Sequence, residues 1–254
     1  SKHLKVKFPH LMIGGYASSG FFKVVQKEPR PHDRYTMAKF EEFVGYAKEH
    51  ECPLDFFSFH AYDMPGAPLT PSSMSAYVAY ARRTLDAAGF GKTELSMNEW
   101  LPRWSKPGSM RQAALIGGIL AALQESAVDD AEIYDAKCQA PSQYAPLFDA
   151  STCGPRKAYW AFVAFNELRK LGKSTPLQGV PSDLWATAAT DGQGHGAIML
   201  SNITGKTVPL VLTTAGGVCT EAVIVDEEHN MDVVPMPTEM KPNTLLLLHL
   251  NAGE

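Results

Sequence analysis

A chain of 254 residues with 45% hydrophobic content holds enough apolar material for one barrel-sized domain or two smaller ones, which excludes an intrinsically disordered protein. Its formal net charge of −4, with Lys and Arg scattered rather than clustered, offers no basic stripe for tracking phosphates, so nucleic acid is not an expected partner. The densest apolar run, Leu245-Leu246-Leu247-Leu248, is far too short to span a bilayer, and the chain reads as soluble with no membrane partner.

The basic residues of Ser1 to Phe8 lead into no apolar segment, so no signal peptide is visible. Leu11 to Gly15 then reads as a brief strand, with a small-residue loop from Tyr16 to Gly20. Those glycines fit neither spacing of a phosphate-binding loop, and no helix starts directly after Gly20, so they mark a close backbone approach. Between Tyr35 and His50, Met37, Phe40, Phe43, Val44 and Ala47 recur at helical spacing. The unit repeats from Leu54 to Tyr62, where Phe57, Phe59 and Ala61 share one face of a strand and Ser58, His60 and Tyr62 share the other. After a loop from Asp63 to Pro71, Ser72 or Ser73 is positioned to cap a helix that runs to Ala88 and stops at Gly89.

A strand over Glu94 to Trp100 precedes a helix from Ser109 to Ser126 that is apolar almost all round, as expected of one lying between a sheet and a second layer. A fourth strand is expected over Ala131 to Cys138, then an irregular stretch, then a helix opened by Gly154-Pro155 and closed by Gly172. Four strand–helix units in strict alternation predict one parallel sheet in chain order, half of what a (β/α)8 barrel needs. From Thr175 the texture changes to short strands separated by turn signals: 184–190, 197–203, 208–213, 219–225, 231–234 and 244–250. This predicts an antiparallel β-sandwich over residues 173–254, following a partial (β/α)8 barrel over 1–172. The cysteines Cys52, Cys138, Cys153 and Cys219 lack metal-site or redox spacing; free thiols are expected, with pairing of Cys138 and Cys153 open in an oxidising compartment.

The stretch from Thr93 to Trp104 carries the chemistry. It delivers Asn98, Glu99 and Trp100 to the end of a strand, and Trp104 to the loop beyond Pro102. A carboxylate beside indole rings suits a sugar site, because glycosidic cleavage needs a carboxylate at an oxocarbenium-like centre and an aromatic face covers the apolar face of a pyranose. A strand-end salt bridge and tryptophans packed under a loop are the bland alternative. No residue cluster calls for a metal or an organic cofactor.

Several stretches, in order, resemble the retaining glycoside hydrolases of the large (β/α)8 clan, most closely the family 39 group of β-xylosidases and α-L-iduronidases. Met12-Ile13-Gly14-Gly15-Tyr16-Ala17 is similar to the family's Gly-Gly-Pro-Ala segment ending the fifth barrel strand, with Tyr16 in place of Pro. Ser58-Phe59-His60-Ala61-Tyr62 resembles the Ser-x-His-x-Tyr pattern of the sixth strand, and Asn98-Glu99-Trp100 the Thr-Glu-Trp ending of the seventh. Phe148-Asp149 through Gly154-Pro155-Arg156-Lys157-Ala158-Tyr159 resembles the link into the last helix, after which family members add a β-sandwich.

The resemblance implies that Glu99 is the nucleophile, that His60 and Tyr62 orient it or a sugar hydroxyl, and that Asn98, Trp100 and Trp104 line the subsite. The family's acid/base Glu stands in an Asn-Glu-Pro segment of the fourth barrel strand, and no Asn-Glu-Pro occurs in this chain. Two carboxyl groups are needed, so the expectation is a carbohydrate-active C-terminal half, completed by an N-terminal half-barrel or a second copy of the chain. A non-catalytic carbohydrate-binding or scaffold protein is the alternative. The resemblance points to a secreted or periplasmic setting. Four parallel strands with open edges and an apolar concave face are expected to associate.

Overall fold

Alternation along a single strand sets the first layer of the structure. The computed structural model describes residues 1–21, 31–64, 66–103, 105–137, 144–214 and 217–252, leaving aside the side chains of 31–36. By internal contacts it forms two compact units, one of residues 1–101 and 126–134, the other of 102–125 and 135–254.

The first unit runs α1 (Lys2–Lys7), β1 (Gly14–Ser18), α2 (Pro31–Glu49), β2 (Phe56–Tyr62), α3 (Pro71–Ala88), β3 (Glu94–Leu101) and β4 (Asp130–Ile133). The four strands form one sheet in the order β1-β2-β3-β4, with every pair parallel. Phe57, Phe59 and Ala61 are fully buried, and they meet an aromatic cluster. Phe40 lies 4.4 Å from Phe57, and Phe21 4.6 Å from Phe59, centroid to centroid and tilted. Rings of this size dominate the apolar area that folding removes from water.

Three boundaries differ from the sequence reading for identifiable reasons. Strand β1 begins at Gly14 rather than Leu11, and it lies so near β2 that a Cβ on Gly14 would overlap the Phe56 carbonyl oxygen. The α3 cap is Thr70, not Ser72 or Ser73. Its hydroxyl accepts from Ser73 N at 3.1 Å while Ser73 Oγ accepts from Thr70 N at 2.8 Å, and Pro71 fits the first turn because its absent N–H is not needed there. Strand β4 is four residues long rather than reaching 138, since Asp135 Oδ1 accepts from Lys137 N at 2.8 Å and turns the chain. Cys138 lies outside the described residues, as does any pairing through it.

The second unit contains α4 (Met110–Gln124), α5 (Lys157–Leu171), β5 (Lys173–Thr175), β6 (Leu184–Thr190), β7 (His195–Asn202), β8 (Val208–Pro209), β9 (Gly217–Val225), β10 (Asn230–Val234), β11 (Glu239–Met240) and β12 (Thr244–Ala252). Six strands form an antiparallel sheet in the order β10-β9-β12-β7-β6-β5, and β11 pairs with β8 as a separate ribbon. The expected strand over 208–213 is cut short at Pro209, which has no N–H to give a ladder. Strands β5 and β11 have too few residues to show periodicity.

Both faces of the six-stranded sheet are covered. Leu246, Leu248, Ile198 and Leu200 pack with Val208, Leu210 and Met240 around the ribbon. On the other side α4 and α5 lie against β6 and β7, and the approach is close enough that a Cβ on Gly117 would strike the Leu245 side chain. Hence Leu245 to Leu248 are all buried in succession. Buried Ser201 is satisfied by α4, because its Oγ donates to Ala114 O at 2.6 Å. Buried Asn202 closes the β7 turn, its amide nitrogen reaching the carbonyls of Lys206, Met240 and Lys241 at 2.8, 3.0 and 3.0 Å.

Candidate active site

The side chains that could act chemically stand on the face of the parallel sheet opposite the aromatic core. On β2 this face carries Ser58, His60 and Tyr62, by alternation with the buried Phe57, Phe59 and Ala61. On β3 plain alternation would place Glu99 with Leu95 and Met97, both fully buried. A β-bulge prevents this. The pairing steps from Ser58–Ser96 to His60–Glu99, two residues on β2 against three on β3, and the same extra residue appears against β4 between Met97–Ala131 and Trp100–Ile133. The inserted residue reverses the phase of the strand and turns Glu99 onto the His60 face.

There the carboxylate is held from two sides. Tyr62 donates its hydroxyl hydrogen to Glu99 Oε2 at 2.7 Å, and His60 Nδ1 lies 3.4 Å from the same oxygen. The His60 and Glu99 side chains are 18% and 32% exposed, so the carboxylate is anchored yet reachable. Both contacts fall on Oε2, which anchors that oxygen. A carboxylate positioned by neighbours locked in a sheet has the geometry that a displacement reaction would use.

The other candidates separate. Asn98 sits in the bulge, half-buried, and its Oδ1 is buried with no hydrogen-bond partner among the described residues. Trp100 pairs in register with Ala61 on the aromatic side and is 0% exposed, so no face of its indole is open to a ligand. Trp104 lies outside the described residues. Nearby Asp63 is buried and accepts from Leu69 N at 2.5 Å, which commits that oxygen to shaping the 63–70 loop.

The sheet face also holds residues that the sequence reading did not single out. Ser96 Oγ donates to Asp130 Oδ1 at 2.7 Å, which fixes Asp130 on the same side; alternation then puts Glu132 and Tyr134 there. Partial burial raises the Glu132 carboxyl above its ordinary range, and the neighbouring Asp130 adds to this. Tyr134 N continues the ladder by donating to Trp100 O at 3.0 Å, and the residue is 40% exposed. The signal was present as a two-residue period, with Asp130, Glu132 and Tyr134 alternating against Ala131 and Ile133. Consequently the face is polar and acidic, not the apolar one expected of an open half-barrel.

Among the described residues no group of three His, Cys, Asp or Glu side chains stands close enough to hold a metal ion. No described helix is long and apolar enough to cross a membrane.

No family model and no curated protein matches the chain. Its fold does match solved structures. A glucosidase from Croceicoccus marinus aligns over 100% of this chain and 63% of its own, at 17% identity and a TM-score of 0.71. A monomeric β-xylosidase from Caulobacter crescentus aligns over 99% of this chain and 63% of its own, at 16% identity and a TM-score of 0.67. A glycoside hydrolase family 39 enzyme from Xanthomonas axonopodis pv. citri covers 99% of this chain at 16% identity and a TM-score of 0.63. The chain spans less than two thirds of the length of each of these structures. The likeness to glycoside hydrolases therefore extends over essentially the whole of this chain and concerns its fold.

Proposed function

We propose that the chain is the C-terminal part of a clan A retaining glycoside hydrolase, most like family 39. In this reading residues 1–172 contribute four βα units of a (β/α)8 barrel and residues 173–254 a β-sandwich. The observation that carries it is the Glu99 carboxylate at the C-terminal end of a parallel sheet, held by Tyr62 at 2.7 Å and His60 at 3.4 Å, where active sites of (β/α)8 proteins are assembled.

Glu99 attacks the anomeric carbon of the glycoside. A C–O bond forms to the carboxylate oxygen, the glycosidic C–O bond breaks, and the departing oxygen takes the electron pair and a proton. Water then displaces Glu99 and restores the carboxylate. Tyr62 and His60 keep the attacking group aligned, and Asn98 in the bulge faces the sugar hydroxyls. Tyr134 offers the aromatic surface that buried Trp100 does not, with Trp104 as a further wall. The proton for the leaving oxygen comes from an acid/base Glu of an N-terminal half-barrel. That half, or a second copy of this chain, covers the free edges at β1 and β4, since exposed strand edges invite pairing.

The test uses an activated substrate. A dinitrophenolate leaves without being protonated, so a 2,4-dinitrophenyl 2-deoxy-2-fluoroglycoside needs the nucleophile but not the acid. The chain is expected to gain the mass of one fluoroglycosyl group on Glu99. Sugar binding without any covalent label would instead favour a carbohydrate-binding role.

A further inference from the structure

The bulge in β3 also sets what stands on the side of Glu99 away from His60 and Tyr62. Strand β4 pairs Ala131 with Met97 and Ile133 with Trp100, so Asn98 and Glu99 together stand opposite the single residue Glu132. Ser96 Oγ donates to Asp130 Oδ1 at 2.7 Å, which identifies the polar face of β4, and the two-residue alternation puts Glu132 on that face. Glu99 is thus flanked by Tyr62 and His60 on β2 and by Glu132 on β4, whose backbone runs one strand spacing, about 4.8 Å, away.

This placement weakens the fold. Partial burial and the neighbouring Asp130 raise the Glu132 carboxyl above its ordinary range, so its ionised form opposes folding. Glutamine would occupy the same space without the charge. Yet the residue is exposed at the site face, and a destabilising carboxyl in reach of a ligand is the mark of a functional group. The chemistry open to it is narrow, because an ionised carboxylate only accepts hydrogen bonds. Beside the anomeric carbon of a glycoside stand the ring oxygen, which has no hydrogen to give, and the 2-hydroxyl, which has one. A hydrogen bond from that hydroxyl strengthens as positive charge develops at the anomeric centre. One strand away from the attacking carboxylate, Glu132 is placed for a substituent beside that centre rather than for hydroxyls on the far side of the ring.

We propose that Glu132 accepts a hydrogen bond from the 2-hydroxyl of the sugar that Glu99 attacks; the assignment rests on Glu99 being the nucleophile. The experiment treats the 254-residue chain, Glu132→Ala and Glu132→Gln with 2,4-dinitrophenyl xyloside and its 2-deoxy-2-fluoro counterpart, and with the same pair built on glucose. Dinitrophenolate release in the first turnover gives the rate, and protein mass gives the attached sugar. In the parent the intact glycoside is expected to react faster than the fluorinated one. In Glu132→Ala the ratio of the two rates should fall about tenfold or more, the worth of one hydrogen bond to a charged group, since only the intact sugar loses that bond. Glu132→Gln keeps an acceptor oxygen without the charge, and its ratio should lie between the two. A ratio equal in parent and Glu132→Ala overturns the proposal and leaves Glu99 in place. That includes the case in which both rates fall together, as they would if Glu132 only supported the positive centre electrostatically. A parent that takes up neither sugar overturns the assignment of Glu99, and this one with it.

Discussion

The two sheets differ in where polar side chains are allowed. The antiparallel sheet is covered on both faces at its centre: Leu246 and Leu248 look to the ribbon, Leu245 to α4, and of its buried polar side chains Ser201 and Asn202 are tied to backbone carbonyls. The parallel sheet gathers its aromatic core on one face, where Phe57, Phe59 and Ala61 meet the aromatic cluster. Its other face carries Ser58, His60, Tyr62, Ser96, Glu99, Asp130 and Glu132. Charge collects where the core does not need the space.

Substitutions on the two kinds of face should separate sharply. Phe57→Ala or Leu248→Ala is expected to cost about 2–5 kcal/mol by the cavity left behind, measured by urea unfolding. Ser96→Ala on the polar face should stay within about 0.5–1.5 kcal/mol, the net worth of its single hydrogen bond to Asp130. Equal losses on both faces would break the comparison. Asn202→Asp sharpens it from the other side. It would set a carboxylate against three carbonyl oxygens in a buried turn, and an uncompensated buried charge costs about 3–5 kcal/mol.

The fold was legible wherever a period could be read. The 2-residue period of 55–62 located β2 and its two faces, and the stop at Gly172, left-handed with φ 84°, followed from glycine's tolerance of that conformation. The short elements β5 and β11 were not legible, because two or three residues define no period, and β8 was expected but with too great a length. At the site, Glu99, His60 and Tyr62 were legible as candidates from residue type and order, and the structure brings their side chains together. What turned Glu99 toward them was not, since a bulge is a matter of pairing between strands and leaves no mark in the strand that carries it. Trp100 was misjudged for the same reason: with the phase reversed, the residue after Glu99 falls on the buried side. Glu132 and Tyr134 lay within the strand expected over 131–138 and were passed over despite their period, while Asp130 fell just before it.

Smaller effects test the site itself. Tyr62→Phe keeps the ring and removes the donor to Glu99. The rate of fluoroglycosyl labelling should fall about tenfold or more, with unfolding shifted by less than about 1.5 kcal/mol. A stability loss without a change in labelling would make Tyr62 merely structural.

The carboxyl groups predict opposite pH trends. Asp55 is held below its ordinary range, first by the Lys5 hydrogen bond and then by Ile13 N, so its folded pKa lies below the unfolded value. Its contribution is present above about pH 3.9 and is lost as the pH falls through the folded value. Glu132 is raised by burial and by Asp130, so it weakens the fold as the pH rises above about 4.3, the ordinary value for Glu. Glu132→Gln should therefore stabilise slightly at pH 7 and not at pH 3.5, while Lys5→Ala should destabilise slightly at pH 7 and not at pH 2. Stability curves of the two variants against pH check both signs.

The central claim, that Glu99 is a nucleophile held ready on the polar face, is tested most directly by intact mass and peptide mapping after exposure to a panel of 2,4-dinitrophenyl 2-deoxy-2-fluoroglycosides, including the xyloside and the glucoside. One fluoroglycosyl group attached to Glu99, and labelling slowed by about 10⁴-fold or more in Glu99→Gln as for other removed nucleophiles, is the predicted result. Attachment at another carboxylate, or undiminished labelling in Glu99→Gln, would contradict it.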